Sequence, residues 1–401
     1  MNQGLSPLAG RTILQIIPRL DSGGAERTTV DIAEALVNAG ARALVAAEGG
    51  RLIPELQAKG GVWVPFPAST KNPFSILANI SRLTALCAGE RVDLVHARSR
   101  APAWTALLAT KRSGLPFVTT YHGSYSGRSA VKVLSNSVMA RGDVVIANSR
   151  YTARHIAAMH PFATDRLEVI YRGTNMQQFS TASVSLDRIN RLRDLWGARP
   201  GQPVVLLAAR LTGLKGHKIL IEAAHHLVKR GLEDVLIVLA GDQKGREHYV
   251  VELNQQIDQL KLSDHVHFAP HCADMPAAFL AAAAVAVSSV EPEAFGRIAV
   301  EAQAMGTPVV VTDLGAAPET VLAPPAIEPS ARTGWRVPPS DAGALAEALF
   351  EALTLNPSAR ESLATRARGH VEGQFSLQKM TDDTLGVYQK LLIRENTAKP
   401  F

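Results

Sequence analysis

The regular alternation of short apolar runs with helical patterns constrains the fold of this chain more than any other sequence feature. Runs such as Val204–Ala209 and Val235–Ala240 are apolar at every position, which is typical of strands covered on both faces. The alternation predicts βαβ units with parallel sheets. The predicted strands are Ile13–Leu20, Ala43–Ala47, Val62–Phe66, Asp93–Ala97, Phe117–Tyr121, Val144–Asn148, Glu168–Tyr171, Val204–Ala209, Val235–Ala240, Val266–Ala269, Val285–Ser288, Val309–Thr312 and Gly334–Val337.

A break in this series divides the chain. The 401 residues exceed what one hydrophobic core usually organises, and the polar stretch 174–203, which we predict to be the linker between two domains, interrupts the strands. We therefore predict an α/β fold of two doubly wound, Rossmann-like domains that face each other across a cleft. The predicted bounds are 1–180 for the N-terminal domain and 181–375 for the C-terminal domain, with 376–401 a terminal helix that packs back on the N-terminal domain.

Ligands of parallel sheets bind beyond the carboxyl ends of the strands, so the loops that follow strands are the places to search. In the segment 288–320, a loop carrying Glu293 leads into a helix that is predicted to start near Arg297 and to stop at Gly306. The amides of its first turn are suited to a pyrophosphate, and Glu293 and Glu301 are suited to hydroxyl donors. The alternative is an acid that favours the helix dipole beside a solvated glutamate.

Two cations follow the first strand of the second predicted domain. Arg210 and Lys215 lie in a loop whose glycines, Gly213 and Gly216, allow tight turns. A forked guanidinium together with a compact ammonium matches a diphosphate. Either residue alone is equally compatible with a solvated surface position.

Two weaker signals lie in the first predicted domain. The pair Gly23 and Gly24 stands between a strand and an amphipathic helix, where a phosphate or sugar can approach the backbone. His122 follows the Phe117–Tyr121 strand and is placed to bond a hydroxyl or phosphate of the donor. Glycine pairs often serve only to turn a chain, and a lone histidine is more often structural.

Together these motifs resemble the retaining family-4 glycosyltransferases of GT-B fold, over nearly the whole chain. The sequence EAFGRIAVE (Glu293–Glu301) is similar to the family's pair of glutamates eight positions apart. RLTGLKG (Arg210–Gly216) resembles its phosphate motif, and GGAER (Gly23–Arg27) resembles its N-terminal glycine loop.

The resemblance implies a role for each matching residue on the sugar side of the donor. Glu293 would bind sugar hydroxyls, Glu301 would hold the ribose, Gly24 would approach the phosphate or sugar, and His122 would contact the sugar near its 6-hydroxyl. The backbone that assists Glu293 is that of Ala294, Phe295, Gly296 and Arg297.

On the nucleotide side, the resemblance implies that Arg210, Lys215 and the N–H of Ile298 stabilise the departing diphosphate. Backbone around Pro270 and His271 would meet the base. The predicted catalytic residues are thus Glu293, His122, Arg210 and Lys215. The resemblance implies no metal and no other cofactor, and the chain has no DxD-like cluster beside these motifs.

The chain departs from the family pattern at VIYRGTN (Val169–Asn175) and at LGAAPE (Leu314–Glu319). Arg172, together with Arg98 and Arg100, would add positive charge for an anionic acceptor.

Residues 1–180 hold 20 Lys and Arg against 11 Asp and Glu, whereas the rest holds 22 against 25. This asymmetry favours an anionic partner for the first domain, although a purely solubilising role fits equally well.

We therefore predict a hexosyltransferase that uses a UDP- or GDP-sugar and a saccharide or anionic glycolipid acceptor, in cell-envelope or lipopolysaccharide synthesis. The alternatives are a GT-B nucleotide-sugar-binding protein, an epimerase or a phosphorylase. A dehydrogenase is disfavoured because the chain lacks a GxGxxG motif, and nucleic-acid binding is disfavoured because its basic residues are dispersed.

The predicted location is the cytoplasm, with peripheral contact at an anionic inner membrane surface. The longest apolar run, 277–290, has 14 residues, whereas a membrane span needs roughly 20. The N-terminus lacks the pattern of a secretory signal, and the two cysteines do not suggest a disulfide framework.

Overall fold

The computed structural model of the protein describes residues 6–21, 23–70, 72–123 and 129–398. The chain forms two units, of which the first comprises the chain through Gly173 together with the chain from Leu377 onward. The second unit is Thr174–Ser376. The first unit ends at Gly173, whereas the predicted bound is residue 180, and the Thr174 N–H donates to the carbonyl of Phe375, at 2.8 Å, within the second unit.

A seven-stranded parallel sheet forms the centre of the first unit, in the order β3-β2-β1-β4-β5-β6-β7. Its central strands are buried on both faces, and their buried positions include the polar residues Gln15, Thr119 and Thr120. The strands are β1 (Thr12–Ile16), β2 (Arg42–Ala47), β3 (Val62–Pro65), β4 (Leu94–Ala97), β5 (Phe117–Tyr121), β6 (Val144–Ala147) and β7 (Leu167–Val169). The helices that connect them are α1 (Gly24–Asn38), α2 (Ile53–Ala58), α3 (Pro73–Gly89), α4 (Arg100–Ser113), α5 (Ala130–Asn136) and α6 (Arg150–Met159).

The second unit contains a six-stranded parallel sheet in the order β10-β9-β8-β11-β12-β13. Its strands are β8 (Val204–Ala208), β9 (Leu236–Ala240), β10 (Val266–Ala269), β11 (Ala284–Val287), β12 (Val309–Thr312) and β13 (Trp335–Val337). Its helices are α7 (Leu186–Leu195), α8 (His217–Lys229), α9 (Glu247–Gln259), α10 (Met275–Ala281), α11 (Arg297–Ala304), α12 (Ala317–Thr320), α13 (Ala342–Leu353) and α14 (Pro357–Phe375). The prediction of two doubly wound parallel-sheet domains is confirmed.

Each sheet has one point where the direction of strand succession reverses. It lies between β1 and β4 in the first unit and between β8 and β11 in the second. Beyond the carboxyl ends of such a strand pair, the connecting helices diverge to opposite faces and leave a crevice. The strand order therefore singles out the loops after these four strands.

Residues 174–203, which the sequence predicts to be a linker, are instead folded as part of the second unit. The guanidinium of Arg188 on α7 donates to both carboxylate oxygens of Asp274, at 2.6 and 2.8 Å. Trp196, directly after α7, is only 1% exposed. The stretch resembles a linker in sequence because most of its residues are polar. Its composition does not reveal the specific bonds that these residues make in the folded unit.

The terminal helix α15 (Leu377–Ala398) belongs to the first unit. Its Tyr388 is fully buried, and the hydroxyl shares a 2.6 Å hydrogen bond with Nδ1 of His96 on β4. Nε2 of the same ring bonds Thr120 Oγ1 on β5, at 2.7 Å. Burial lowers the pKa of His96 well below its usual value, with a smaller contribution from Arg98, so the ring is neutral. One histidine thus links two strands and the last helix.

Replacing Tyr388 with Phe removes this hydroxyl and leaves a buried ring nitrogen unsatisfied. Because such a group costs about 1–3 kcal/mol, we expect a lower midpoint of thermal unfolding, measured by circular dichroism. Tyr249→Phe is the control, since the Tyr249 hydroxyl is buried and has no hydrogen-bond partner in the part of the chain that the structure describes. An equal decrease of the unfolding midpoint in the two variants would contradict this role of His96.

Asp31 on α1 gives the first unit a pH-dependent stability. Burial raises the pKa of its carboxyl to about 6, although Lys59 and Arg27 oppose the rise. The folded state therefore holds the proton more tightly than the unfolded chain, and stability is lost as the pH rises from about 4 through 6. We expect Asp31→Asn to be more stable than the wild type by about 3 kcal/mol at pH 7 and equal to it near pH 4, measured by urea unfolding. Parallel stability profiles would contradict the raised pKa.

Candidate active site

The residues predicted for the donor side lie at the reversal point of the second sheet. Arg210 and Lys215 follow β8, and Glu293 and Gly296 follow β11. These two strands are neighbours in the sheet. The sequence pattern predicts that each of these residues directly follows a strand. The strand order then places the two loops at the same crevice.

A glycine in the left-handed region lets the loop after β8 pack closely on the end of β11. Gly216 has φ +68°, and a Cβ there would lie only 1.8 Å from the carbonyl oxygen of Ser288. The Ser288 hydroxyl donates to the carbonyl of Gly216 at 3.0 Å and to that of Lys215 at 3.2 Å. This contact fixes the position of the backbone at Lys215.

Glu293 is held by two side chains. Its Oε1 accepts hydrogen bonds from Lys215 Nζ and, at 2.6 Å, from the Ser289 hydroxyl. The side chains of Glu293 and Lys215 remain about a quarter exposed, at 24% and 25%. Ser289 was not singled out in the sequence, although its position at the end of β11 marked it for inspection. A Cβ on Gly296 would lie 3.7 Å from Glu293 Oε2, so this second oxygen is close to the start of α11.

The backbone of Glu293 is fixed by the segment in which the chain departs from the family pattern. The Ala316 N–H donates to the carbonyl of Glu293, at 2.9 Å. Gly315 has φ +62°, and a Cβ there would lie 2.3 Å from the same carbonyl oxygen. This segment therefore supports the candidate donor site directly, which the sequence did not predict.

Helix α11 has the predicted bounds. It begins at Arg297 after Gly296, whose φ is +82°, and it ends at Ala304 before Gly306, whose φ is +74°. Within the described ranges, the N-cap residue Gly296 provides no side-chain cap for the first turn. The amides of a first turn have no acceptors within the helix, and the helix dipole adds positive potential there. This helix start can accept an anionic group without steric hindrance from a Cβ at Gly296.

Glu301 lies one turn inside α11 and is nearly buried, with 4% exposed. Burial raises its pKa, and the charge and hydrogen bonds of Arg297 oppose that rise. Arg297 donates to Glu301 Oε1 through Nε at 3.0 Å and Nη2 at 2.6 Å. Glu301 Oε2 accepts no hydrogen bond from the residues that the structure describes. Arg297 thus orients a carboxylate that keeps one oxygen for a ligand.

The remaining residues predicted for this unit differ in their accessibility. Arg210 is exposed, and so are Pro270 and His271, which follow the edge strand β10. Phe295 is 4% exposed and packs edge-on against Phe375, with ring centroids 5.6 Å apart. Its side chain therefore anchors the loop and is not available to a ligand.

In the first unit, Gly23 and Gly24 stand at the predicted place, at the start of α1. A Cβ on Gly23 would lie 2.1 Å from a carboxylate oxygen of Glu26, which is the end of a flexible side chain that can move aside. Arg98 follows β4, and His122 follows β5, the neighbouring strand. Arg172, after β7, donates from Nη2 to the His122 carbonyl at 2.9 Å. Arg100 is exposed and its Nη1 bonds Asn136.

Comparison with known proteins identifies the chain by family. Residues 22–178 match Glycosyltransferase Family 4, and residues 189–370 match Glycosyl transferases group 1. A glycosyltransferase of known structure from Rickettsia africae ESF-5 is 32% identical, with a TM-score of 0.86 over 96% of this chain and 99% of that chain. The chain belongs to the retaining family-4 glycosyltransferases of GT-B fold.

Two further relatives of this transferase carry more specific descriptions. A D-inositol 3-phosphate glycosyltransferase of Xylanimonas cellulosilytica is 29% identical over 75% of this chain and 78% of its own length. The structure of Anabaena HepE in complex with UDP-glucose is 25% identical, with a TM-score of 0.77 over 94% of this chain and 99% of that chain. None of the helices described for the transferase has the length and apolar character needed to cross a membrane.

The packing at Gly315 predicts a sensitive position for the transferase. Gly315→Ala introduces a Cβ at a positive φ and against the Glu293 backbone, so Glu293 has to move. We expect at least a tenfold lower kcat/KM for a sugar-nucleotide donor, together with a lower unfolding midpoint. Gly369→Ala, inside α14, is the control, because nothing lies within 4 Å of the added methyl group. That variant is expected to retain activity and to gain up to about 1 kcal/mol of stability.

Proposed function

We propose that the transferase moves a hexose from a UDP-sugar to a hydroxyl of a saccharide or glycolipid acceptor in cell-envelope synthesis. The observation that carries this proposal is the group formed by Lys215, Glu293 and Ser289 beside the start of α11. It combines a cation and a helix N-terminus, which suit a diphosphate, with a carboxylate that suits sugar hydroxyls.

The chemistry assigned to this group is leaving-group stabilisation. The bond between the anomeric carbon and the diphosphate breaks, and the diphosphate gains negative charge as it departs. Lys215, Arg210 and the first-turn amides of α11, including that of Ile298, would stabilise this charge without a metal ion. In a retaining transfer the acceptor oxygen attacks from the face that the diphosphate leaves, and the diphosphate takes the acceptor proton.

The two glutamates would act as hydroxyl acceptors on either side of the diphosphate. Glu293 Oε2, which lies near Gly296, is available to the sugar hydroxyls because Oε1 is occupied by Lys215 and Ser289. Glu301 Oε2 is available to the ribose because Arg297 occupies Oε1. Each carboxylate is thus held at one oxygen and presents the other.

The donor proposal is a UDP-sugar, supported by the UDP-glucose bound to the related HepE. Exposed backbone at Pro270 and His271 would meet the uracil, and His122 and Gly24 would contact the sugar. A thermal-shift comparison tests the choice: UDP is expected to raise the unfolding midpoint more than GDP at equal concentration. A larger shift with GDP would contradict the proposed base.

On the acceptor side we propose an anionic saccharide or glycolipid, bound near Arg98, Arg100 and Arg172 at the cytoplasmic face of a membrane. The excess of basic residues in the first 180 positions supports an anionic partner. The acceptor named for the Xylanimonas relative, D-inositol 3-phosphate, is likewise an anionic polyol. Liposome co-sedimentation that rises with anionic lipid content is the expected result for a membrane-bound acceptor.

Turnover of UDP-glucose, followed by release of UDP, tests the assignment of the donor site. We expect Lys215→Ala and Glu293→Gln to lower kcat/KM by about 100-fold or more, because each removes a preorganised contact to the donor. Lys218→Ala is the control: this lysine lies three positions further on, is half exposed and pairs with Glu252. Wild-type turnover in all three variants would contradict the proposed roles.

A further inference from the structure

The helices of the first unit fall into two groups that differ in charge. Helices α3, α4, α5 and α6 contain seven Lys and Arg and no Asp or Glu within their described bounds. Helices α1, α2 and α15 together contain seven Asp and Glu and four Lys and Arg. The seven cations of the first group are all exposed, and they are Arg82, Arg100, Lys111, Arg112, Lys132, Arg150 and Arg154.

The two groups of helices cover opposite faces of the sheet. One cluster of buried side chains joins α3, α4 and α6 to Leu14 of β1, and another joins α1, α2 and α15 to Ile13, the preceding residue of the same strand. Successive side chains of a strand point to opposite faces. Helix α5 lies beside α4, since Trp104 Nε1 donates to the carbonyl of Ser135 at 3.2 Å. The outer surface of α3, α4, α5 and α6 is called the basic face below.

The carboxylates nearest to the basic face in sequence have partners elsewhere. Positions 73–160 include three acids, Glu90, Asp93 and Asp143, each in a turn before a strand. Glu90 forms an ion pair at 2.6 Å with the first residue of β2, and Asp93 forms one at 2.8 Å with the residue before β1. Asp143 accepts a hydrogen bond at 2.8 Å from the first N–H of β5. All three therefore lie at the amino-terminal edge of the sheet.

Large apolar side chains are exposed on the same helices. Phe74 is 82% exposed and Leu77 is 60% exposed, and both lie in the first turns of α3. They are three positions apart and are therefore neighbours on the helix surface. Leu134 on α5 is also 60% exposed, and Leu108 on α4 is 39% exposed. A single exposed apolar side chain needs no explanation, but a neighbouring pair among cations marks an interaction surface.

The exposed pair lies at the edge of the sheet where the acceptor is proposed to bind. Helix α3 follows β3, so its first turns stand at the carboxyl ends of the strands, as do the loops after β4 and β5. Dispersed cations suit any polyanion. A nucleic acid, however, offers no apolar environment to Leu77 and Leu134, whereas a bilayer offers phosphates to the cations and an acyl boundary to the apolar groups.

We propose that the basic face is the surface by which the transferase docks on an anionic lipid bilayer. Phe74 and Leu77 enter the headgroup region, and the cations of α3 to α6 face lipid phosphates. Docking in this way holds the loops after β4 and β5 beside the bilayer. That this bilayer carries the acceptor rests on the proposed function, but the docking itself requires neither donor nor acceptor.

Co-sedimentation of the full chain with vesicles free of acceptor tests the charge of the face. The vesicles contain equal parts of phosphatidylcholine and phosphatidylglycerol, or phosphatidylcholine alone. Each surface cation contributes about a factor of five to binding at an anionic bilayer, so Lys111→Gln/Arg112→Gln is expected to bind the mixed vesicles about 30-fold more weakly. The control, Lys229→Gln/Lys390→Gln, removes two exposed cations outside the basic face and is expected to bind like the wild type.

Equal binding by Lys111→Gln/Arg112→Gln and the wild type would overturn the proposal. So would equal binding of the wild type to the two kinds of vesicle, because the attraction to lipid phosphate requires net negative charge on the bilayer.

A second pair of variants tests the apolar contribution. Phe74→Ser/Leu77→Ser is expected to bind the mixed vesicles about tenfold more weakly at an unchanged unfolding midpoint, because both side chains are largely exposed in the free protein. Leu186→Ser is the control, since this leucine is 76% exposed on α7 of the second unit. Unchanged binding by Phe74→Ser/Leu77→Ser would mean that the face attracts only charge, as a nucleic acid or an acidic protein surface requires, and the proposal would fail. A solution dimer that this variant dissociates would assign the face to a second copy of the chain and would likewise overturn it.

Turnover separates the docking surface from the donor site. Lys111→Gln/Arg112→Gln is expected to release UDP from UDP-glucose in solution at the wild-type rate, because Lys111 and Arg112 lie in the last turn of α4, away from the carboxyl ends of the strands. A lower rate in this variant would assign the two cations to the reaction and overturn the proposal. A wild type that binds the mixed vesicles without turning over UDP-glucose would refute the proposed function and leave the docking surface intact.

Discussion

All strands within each sheet are parallel, and this constraint determines where the chemistry of the transferase can lie. Parallel strands end at one edge, so every loop that follows a strand starts from the same side of its sheet. The reversal of strand succession between β8 and β11 then separates the connecting helices and opens a crevice there. Lys215 and Glu293 lie in the loops that follow the two strands bordering this crevice, although 78 positions separate them in sequence. Their pairing is a consequence of topology, and the candidate donor site is built around it.

In the candidate donor site, backbone packing holds a group of polar side chains in place. Glu293 is held through its carboxylate by Lys215 and Ser289 and through its carbonyl by Ala316. Gly216 and Gly315 both adopt a positive φ and both leave room for a neighbouring carbonyl, which a side chain would displace. A carboxylate fixed in this way needs little reorganisation when a ligand arrives, which is the general condition for electrostatic stabilisation of a leaving group. Arg297 does the same for Glu301 from within one helix.

The sequence predicted the fold more completely than the site. Each strand was located to within a few residues, since strands buried on both faces are mostly apolar, and α11 was bounded by Gly296 and Gly306. The stretch 174–203 was misinterpreted as a linker because its long-range pair, Arg188 with Asp274, has no local sequence signal. Ser289 and Gly315 were missed for the same reason: their importance comes from contact with Glu293. The roles of Arg210, His122, Pro270 and His271 toward a donor stay predictions.

By itself, the sequence determined the alternation of strands and helices, the family, and the residue types that stand at strand ends. These properties depend on local periodicity and on short motifs, which can be recognised in the linear sequence. Only the tertiary structure decided which strand ends are neighbours, which oxygen of each glutamate is already bonded, and that the side chain of Arg98 is buried, with no partner for Nε or Nη2 among the described residues. The physical reason is that burial and hydrogen-bond satisfaction depend on residues distant in sequence, so an arginine in a polar-looking loop is indistinguishable from a solvated one until the chain has folded around it.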